Sequence, residues 1–281
     1  MLFFVSLNRY EGERFFDIIL IMKNLKVKNR KWQNIAVLLE ETQNSKGLVF
    51  VMHGLGGFKE QKHIVAFADS FKNKNFTVVR FDTTNTFGES EGNYENATLT
   101  NYFEDLKDII QWGKTQPWYK EPFYLVGHSL GGISIILYAE MFPGELKGLA
   151  PISTVVSGKL SIEAQGKENI DKWKKTGWRE EKSESIPGLV KRLKWSHIVD
   201  RLKYDVLPEV NKLTMPVLLI VGDKDDSTPP EHQKLLYNKL SGKKELHIIK
   251  NADHNFRGEE YEENLESIKK IFSSWIDEVE L

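Results

Sequence analysis

The amino-acid sequence predicts an α/β fold in which a mostly parallel central sheet is covered by helices on both faces. Short apolar segments rich in β-branched residues, each bounded by turn residues, alternate along the 281-residue chain with longer segments of helical periodicity. Hydrophobic residues make up 40% of the chain, which is enough for a large core. In such folds the ligand site lies in the loops at the carboxyl ends of the strands.

Each element is predicted from its local pattern. Two strand-like segments, 25–28 and 35–39, predict an antiparallel hairpin at the edge of the sheet. Buried strands are predicted at 49–52, 76–81, 123–126, 149–156, 217–221 and 246–249. Helices are predicted between and after these strands, at 63–74, 100–114, 133–141, 231–240 and 261–279. Because strand and helix alternate, the buried strands are expected to be parallel.

The alternation stops between residues 158 and 208. This segment holds Trp173, Trp178 and Trp195 together with many lysines and arginines, and its pattern predicts no strand. We interpret it as a small helical cap inserted over the carboxyl edge of the sheet. Met22 is an alternative start of the chain. The predicted organisation is therefore an N-terminal extension at 1–21, a core formed by 22–157 and 209–281, and a cap at 158–208.

Charge and composition narrow the class of partner. Lys and Arg number 39 against 40 Asp and Glu, which leaves no net field to attract nucleic acid or an anionic membrane. Arg9, Glu11, Glu13, Arg14 and Asp17 interrupt the apolar N-terminus, which therefore predicts neither a signal peptide nor stable membrane insertion. The absence of cysteine excludes disulfides, thiolate metal sites and cysteine nucleophiles. We expect a cytoplasmic protein that binds a small molecule, and a homodimer is compatible with the sequence.

One serine lies in a sequence context that favours nucleophilic chemistry. The segment 127–131, Gly-His-Ser-Leu-Gly, fits the G-x-S-x-G pattern of a sharp turn between a strand and a helix. An apolar strand precedes this turn and an apolar helix follows it. A second match at 88–92, around Ser90, has charged neighbours and leads into a polar loop. Ser129 is therefore the candidate nucleophile, and Ser90 is interpreted as a loop residue.

A serine hydroxyl needs a base within hydrogen-bond reach and a carboxylate that orients this base. Both are expected in loops that follow later strands of the sheet. The loop after the fifth predicted buried strand holds Asp223, Asp225 and Asp226, and the loop after the sixth holds His254. The candidate residues thus follow the chain order Ser, Asp, His. On this reasoning alone, each of the three aspartates could provide the carboxylate.

Five segments of the chain match, in order, motifs of one known family. They are H-G-L-G-G at 53–57, F-D at 81–82 followed by G-E-S-E-G at 88–92, V-G-H-S-L-G-G at 126–132, G-x-x-D at 222–225 followed by Pro229, and A-D-H at 252–254. With these segments the chain resembles the α/β-hydrolase family from about residue 47 to residue 275. It is similar in particular to carboxylesterases with a small cap, a group that includes feruloyl and cinnamoyl esterases and monoacylglycerol lipases.

The resemblance implies an α/β-hydrolase fold and a catalytic triad. It makes Ser129 the nucleophile and His254 the general base. The family pattern selects Asp225 over Asp223 and Asp226 as the carboxylate that orients this base. It also implies that G-x-S-E-G around Ser90 is not the nucleophile motif.

The oxyanion that forms on attack needs backbone N–H donors already in place. Leu130 is expected to supply one, because it directly follows Ser129 at the start of a helix. The resemblance points to Leu55, after the first buried strand, as the second. We expect hydrolysis of carboxylic esters with short- to medium-chain or aromatic groups, without a cofactor or a metal. Trp173 and Trp178 in the cap are the candidate substrate-binding residues; the alternative is that the tryptophans of the cap only hold it to the core. A thioester or an amide would use the same catalytic groups.

Two other classes of function remain as alternatives. Gly54-x-Gly56 after a strand, with Asp82 at the end of the next strand, partly matches a dinucleotide-binding motif, but Lys59 stands where this motif requires its third glycine. The second alternative is a hydrolase fold that binds ligands without catalysis. The sequence contains neither a phosphate-binding loop motif nor an H-E-x-x-H motif.

Overall fold

The computed structural model describes residues 2–11, 14–182, 188 and 190–281. Its strands are β1 (Leu2–Glu11), β2 (Arg14–Lys28), β3 (Asn34–Thr42), β4 (Leu48–Met52), β5 (Thr77–Phe81), β6 (Phe123–His128), β7 (Leu146–Ile152), β8 (Trp178–Lys182), β9 (Val190–Lys194), β10 (Val217–Gly222) and β11 (Lys244–Ile249). In this part of the chain one sheet has the order β1-β2-β3-β5-β4-β6-β7-β10-β11, and β8 pairs only with β9. The strands from β5 to β11 of this order are parallel, and β1, β2 and β3 are antiparallel to their neighbours.

Helices cover both faces of the sheet. They are α1 (Lys62–Lys72), α2 (Leu99–Gly113), α3 (Leu130–Met141), α4 (Gly158–Ala164), α5 (Lys167–Thr176), α6 (Ser196–Arg201), α7 (Pro230–Lys239) and α8 (Tyr261–Glu280). The apolar sides of α2, α3 and α7 pack against one face, and those of α1 and α8 pack against the other. This arrangement confirms the predicted α/β class. Among the described helices, none is both long enough and apolar enough to cross a bilayer.

The strand predicted at 149–156 is displaced in the structure. The observed strand, β7, begins earlier than predicted, at Leu146. Lys147 and Gly148 interrupt the apolar run and so hide this start in the sequence, but both residues belong to the strand. It also ends earlier, because Ser153 has a φ of 41°, in the left-handed region that breaks an extended strand. Residues 153–156 are nevertheless buried, which explains their apolar signal.

The N-terminal hairpin is more extensive than predicted. Strands β2 and β3 pair antiparallel, which confirms the hairpin predicted from 25–28 and 35–39. Strand β2 begins at Arg14, however, and β1 pairs with its outer side, so that β1 is the edge of the sheet. The described residues of the predicted N-terminal extension therefore lie in strands of this sheet. Charged residues at 9–17 disturb the alternating pattern, so this pattern does not predict these strands.

The inserted segment contains α4, α5 and α6, as the prediction of a helical insertion requires. It also contains the antiparallel ribbon of β8 and β9, so the expectation that it holds no strand was wrong. The ribbon escaped prediction because Arg179–Lys182 are all charged and give no apolar alternation. Cross-strand pairs stabilise it instead: Arg192 lies 2.9 Å from Glu180, and its guanidinium lies 4.3 Å from the centre of the Trp178 ring.

A buried ion pair occupies the position where a dinucleotide-binding protein would bind ribose. Asp82 follows β5 and is fully buried, and Lys59 is only 1% exposed. The Nζ of Lys59 lies 3.0 Å from Asp82 and 2.6 Å from Glu89, and the backbone N–H of Lys59 also donates to Asp82. Burial alone would lower the pKa of Lys59, but its hydrogen bonds with Glu60 and Glu89 and the charge of Asp82 raise it. Because the Asp82 carboxylate is engaged within the protein, its position gives the dinucleotide alternative no support.

We expect Lys59→Met to lower the free energy of unfolding by about 3 kcal/mol, because removal of one partner leaves the charge of Asp82 buried and unpaired. Urea denaturation followed by tryptophan fluorescence measures this loss. Lys62→Met is the matched control, since its pair with Glu262 is exposed on both sides and should contribute little. Equal stability of the two variants would contradict the structural role of the buried pair.

Candidate active site

Ser129 lies at a strained turn between β6 and α3. Its backbone has φ 53° and ψ −112°, a conformation that residues other than glycine rarely adopt and that surrounding structure must enforce. Its N–H donates to the carbonyl of Ile152, at 2.9 Å. A Cβ atom on Gly127 would lie 2.4 Å from the carbonyl oxygen of Gly131, and one on Gly131 would lie 2.5 Å from that of His53. The two glycines of the G-x-S-x-G motif thus allow the close approach that fixes this turn.

The structure brings together the three side chains that the sequence analysis selected. The Nε2 atom of His254 lies 2.9 Å from the Oγ of Ser129, and its Nδ1 lies 2.8 Å from Oδ2 of Asp225. Asp225 is in the loop after β10, and His254 is in the loop after β11. These loops meet at the carboxyl edge of the sheet because both strands are parallel to β6. The geometry allows His254 to accept a proton from Ser129 while Asp225 holds its ring.

Asp225 is the one of the three candidate aspartates that contacts His254. Its Oδ1 accepts hydrogen bonds from the N–H groups of Ser227 and Thr228, and its Oδ2 accepts one from the hydroxyl of Thr228. Burial alone would raise the pKa of Asp225, but the hydrogen bond and charge of His254, with the bonds from Thr228, lower it to about 2. Asp223 and Asp226 are exposed, which fits a role in solvating the loop.

A second histidine supports the loop that holds His254. The Nε2 of His128 donates to the carbonyl of His254, at 2.8 Å, and the two ring centroids are 4.8 Å apart. Burial, together with the nearby His254, lowers the pKa of His128 to about 3, so its ring is neutral. The ring centroid of His63 lies 4.5 Å from that of His128, and burial likewise lowers the pKa of His63 well below its usual value. Neither ring adds a positive charge that would oppose protonation of His254.

The two residues predicted to donate backbone N–H groups to an oxyanion are Leu55 and Leu130. Leu130 is the first residue of α3, so its N–H has no acceptor within the helix. Leu55 follows β4, and its N–H has no hydrogen-bond acceptor among the described residues. The loop before it is fixed by Gly54, whose carbonyl accepts hydrogen bonds from Gly57, from His53 and from the hydroxyl of Tyr102. Leu55 and Ser129 line the same cavity, of about 190 Å³.

The two tryptophans selected from the sequence line a larger cavity, which is formed mostly by residues of the inserted segment. This cavity has a volume of about 890 Å³ and is lined by both Trp173 and Trp178. It shares Gln165, Arg179 and Ser227 with the cavity at Ser129, so the two spaces adjoin. Trp173 is 2% exposed and donates from Nε1 to the carbonyl of Leu193, and it therefore also fastens α5 to β9. Trp178 is more exposed.

Sequence reasoning missed several residues that line the cavity at Ser129. Thr228, which fixes both Asp225 and the loop, lies only three positions after this aspartate and could have been found from the loop sequence. Ser161, Arg179 and Arg201 come from the inserted segment. Nothing in the sequence distinguishes these arginines from the many other cations of the inserted segment, because their burial depends on how its helices pack against the rest of the chain.

Comparisons with known proteins agree with this architecture. Residues 43–189, more than half of the chain, match the Hydrolase_4 family model, which is described as serine aminopeptidase, S33. Residues 184–281 match a model described as PhoPQ-activated pathogenicity-related protein. An Escherichia coli protein described as an uncharacterized 31.7 kDa protein in the traX-finO intergenic region is 25% identical over 240 residues, which cover 74% of this chain and 82% of the relative.

Solved structures show the same fold at low sequence identity. Est1E from Butyrivibrio proteoclasticus, solved with ferulic acid bound, superposes with a TM-score of 0.75 at 22% identity and covers 90% of this chain and 98% of its own. Mouse alpha/beta hydrolase domain-containing protein 10 superposes with a TM-score of 0.74 at 20% identity, and the match covers 92% of this chain and 99% of the mouse chain. The matched family model and the shared fold together show that this chain is an α/β-hydrolase and belongs to the family described as serine aminopeptidase, S33.

Proposed function

We propose that this protein is a serine hydrolase that cleaves carboxylic esters with short- to medium-chain or aromatic groups. The observation that carries the proposal is the continuous hydrogen-bonded chain from Ser129 through His254 to Asp225 at a strained turn. A buried carboxylate that is already ionised stabilises the imidazolium that forms when the serine loses its proton. The residues 158–208 act in this proposal as a cap over the substrate.

The reaction proceeds in two halves. His254 takes the proton of Ser129 as the hydroxyl oxygen attacks the ester carbonyl, and the N–H groups of Leu55 and Leu130 bind the oxyanion. Each such donor lowers the barrier by about 3–4 kcal/mol. The alcohol leaves with the proton from His254, and an acyl group remains on Ser129. A water molecule then attacks this acyl-enzyme by the same route and releases the acid.

The charges of the cavity favour an ester over the N-terminal peptide that the family description suggests. An aminopeptidase must bind the α-ammonium group of its substrate, which normally requires a carboxylate. The described residues that line the cavity at Ser129 include two arginines, Arg179 and Arg201, and no aspartate or glutamate. In this cavity an ammonium group would therefore be repelled, whereas a neutral or anionic ester would not. The carboxylates of Glu180, Glu181 and Asp226 line the adjoining cavity instead.

A substrate panel tests the proposal. We expect turnover of 4-nitrophenyl esters from acetate to decanoate and of ethyl ferulate, with lower kcat/KM for a matched thioester and anilide. The amide of an amino acid with a free N-terminus should react most slowly of all. If this amide instead had the highest kcat/KM of the panel, the proposed ester specificity would be wrong.

Trp178→Ala should change the ranking of ester substrates without abolishing the turnover of acetate esters. Trp178 lines the cap cavity beside the cavity at Ser129, so its loss removes apolar contact area that only longer or aromatic groups reach. Steady-state kinetics on the ester panel measures the change. Trp32→Ala is the control, because Trp32 is 79% exposed and does not line either cavity. An unchanged ranking in Trp178→Ala would remove this residue from the substrate site.

A further inference from the structure

Arg201 is a buried cation that lines the cavity at Ser129. It is the last residue of α6 and is only 6% exposed. Burial, and then the nearby Arg179, lower its pKa to about 10, so the guanidinium is still charged at neutral pH. A charge so deeply buried normally requires an opposite charge beside it. The contacts of Arg201 show no such partner.

The hydrogen bonds of Arg201 go to neutral groups. Its Nη1 donates to the hydroxyl of Ser161 at 2.7 Å, and its Nη2 donates to Nε2 of His197. His197 is itself neutral: its Nδ1 donates to the carbonyl of Ala97, and burial and the charge of Arg201 lower its pKa well below the usual value. The Nε of Arg201 is buried and has no hydrogen-bond partner among the described residues. A guanidinium has five N–H donors, and Arg201 thus retains unused donors.

The nearest acidic neighbour in the sequence is engaged elsewhere. Asp200 accepts hydrogen bonds from the N–H and hydroxyl of Thr100 and lies 3.1 Å from the Nζ of Lys203. In the described part of the chain, no carboxylate lies within ion-pair distance of Arg201. The second arginine of the cavity, Arg179, pairs with Glu181 and therefore does not compete for the same partner.

We propose that Arg201 binds a carboxylate carried by the substrate, so that the preferred substrates are esters that bear a carboxylate close to the scissile bond. This inference rests on the proposed ester hydrolysis and specifies its substrate class. Arginine presents paired donors that match the two oxygens of a carboxylate. The cavity shared by Arg201 and Ser129 measures about 190 Å³, which favours a short spacer between the carboxylate and the ester.

A purely structural Arg201 would have a different signature. It would tie α6 to α4 through Ser161 and brace His197 within α6, and its loss would affect every substrate equally. A substrate-binding Arg201 discriminates between an anionic ester and its neutral isostere. The decisive quantity is therefore the ratio of kcat/KM for the two.

The test uses two pairs of isosteric esters at pH 7.5. Monoethyl glutarate is compared with ethyl glutaramate, which places the charge on the acyl side, and 3-acetoxypropanoate is compared with 3-acetoxypropanamide, which places it on the alcohol side. The wild type should prefer the carboxylate of at least one pair by about 10- to 100-fold, as expected for charge-assisted hydrogen bonds. The preferred pair identifies the side that faces Arg201. A ratio near 1 or below in both pairs overturns the inference.

Variants assign the preference to this residue. Arg201→Met should reduce the ratio about 10-fold or more, and Arg201→Lys should retain part of it because the charge remains. Arg30→Met is the control: Arg30 is a surface arginine that pairs with Asp108, and the ratio should equal that of the wild type. If Arg201→Met retains the full ratio, the carboxylate binds elsewhere.

A binding measurement separates this inference from the proposed function and needs no substitution of Arg201. Isothermal titration calorimetry on Ser129→Ala should detect binding of glutarate and no binding of glutaramide. If the wild type cleaves no ester while glutarate binds, the proposed hydrolysis fails and the carboxylate subsite stands. If neutral esters are cleaved but glutarate does not bind and neither carboxylate ester is preferred, the subsite fails and the hydrolase stands.

Discussion

Ser129→Ala is expected to lower kcat for 4-nitrophenyl butyrate by about 10⁴-fold or more, because the nucleophile of a triad acts as a unit with its base. The fold should survive. The N–H of residue 129 still donates to Ile152, and the hydroxyl that is removed bonds to His254 rather than to the turn itself. Ester hydrolysis measures the loss in rate, and a fluorophosphonate probe, which labels activated serines, should mark the wild type and leave Ser129→Ala unlabelled.

Ser90→Ala is the matched control for this experiment, because Ser90 lies in the other G-x-S-x-G segment. Its hydroxyl donates to the carbonyl of Asp82 and accepts from the N–H of Ala36, so it joins β3 to the loop after β5. Its removal should cost about 1–3 kcal/mol of stability, since it leaves a buried backbone group unpaired. Labelling and turnover should remain as in the wild type. Equal labelling of wild type and Ser129→Ala would show that another residue is the nucleophile.

The sequence was most informative where a local motif dictates geometry. The glycines around Ser129 predict the turn because any Cβ there would collide with backbone, and the apolar strand and helix beside it confirm the register. Ser129, Asp225 and His254 each follow a predicted parallel strand, and the loops that follow parallel strands lie at the same edge of the sheet. The sequence therefore predicts that the three residues lie close together.

The features of the fold and of the site that the sequence does not predict depend on contacts between segments that are distant along the chain. Arg201 and His197 look like surface residues of a cationic insertion in the sequence, but contacts with other segments bury both of them. The neutral state of His128 likewise depends on its burial beside His63, which comes from another helix. Strands β8 and β9 are stabilised by charged cross-strand pairs, and for such pairs apolar periodicity gives no signal.

Asp225→Asn is expected to lower kcat by about 10⁴-fold while the three side chains stay in place. The carboxylate accepts a hydrogen bond from Nδ1–H of His254, which leaves Nε2 unprotonated and able to accept the proton of Ser129. An asparagine can turn its amide N–H toward Nδ1 instead, which favours the wrong tautomer and removes the charge that stabilises the imidazolium. Because the pKa of Asp225 is about 2, the wild-type carboxylate is ionised at every pH at which esters are assayed.

Asp223→Asn and Asp226→Asn carry the same change in charge and serve as controls for Asp225→Asn. Both aspartates are exposed, and neither contacts His254, so we expect each variant to stay within about tenfold of the wild type, as solvated charges have weak effects at a distance. Stopped-flow measurement of the acylation step separates a defect in the chemistry from slow product release. A loss in Asp226→Asn as large as that in Asp225→Asn would mean that the loop rearranges in the working enzyme and that another carboxylate orients His254. A loss confined to Asp225→Asn would instead show that the burial and hydrogen bonds around this carboxylate, rather than the acidity of the loop, make the serine reactive.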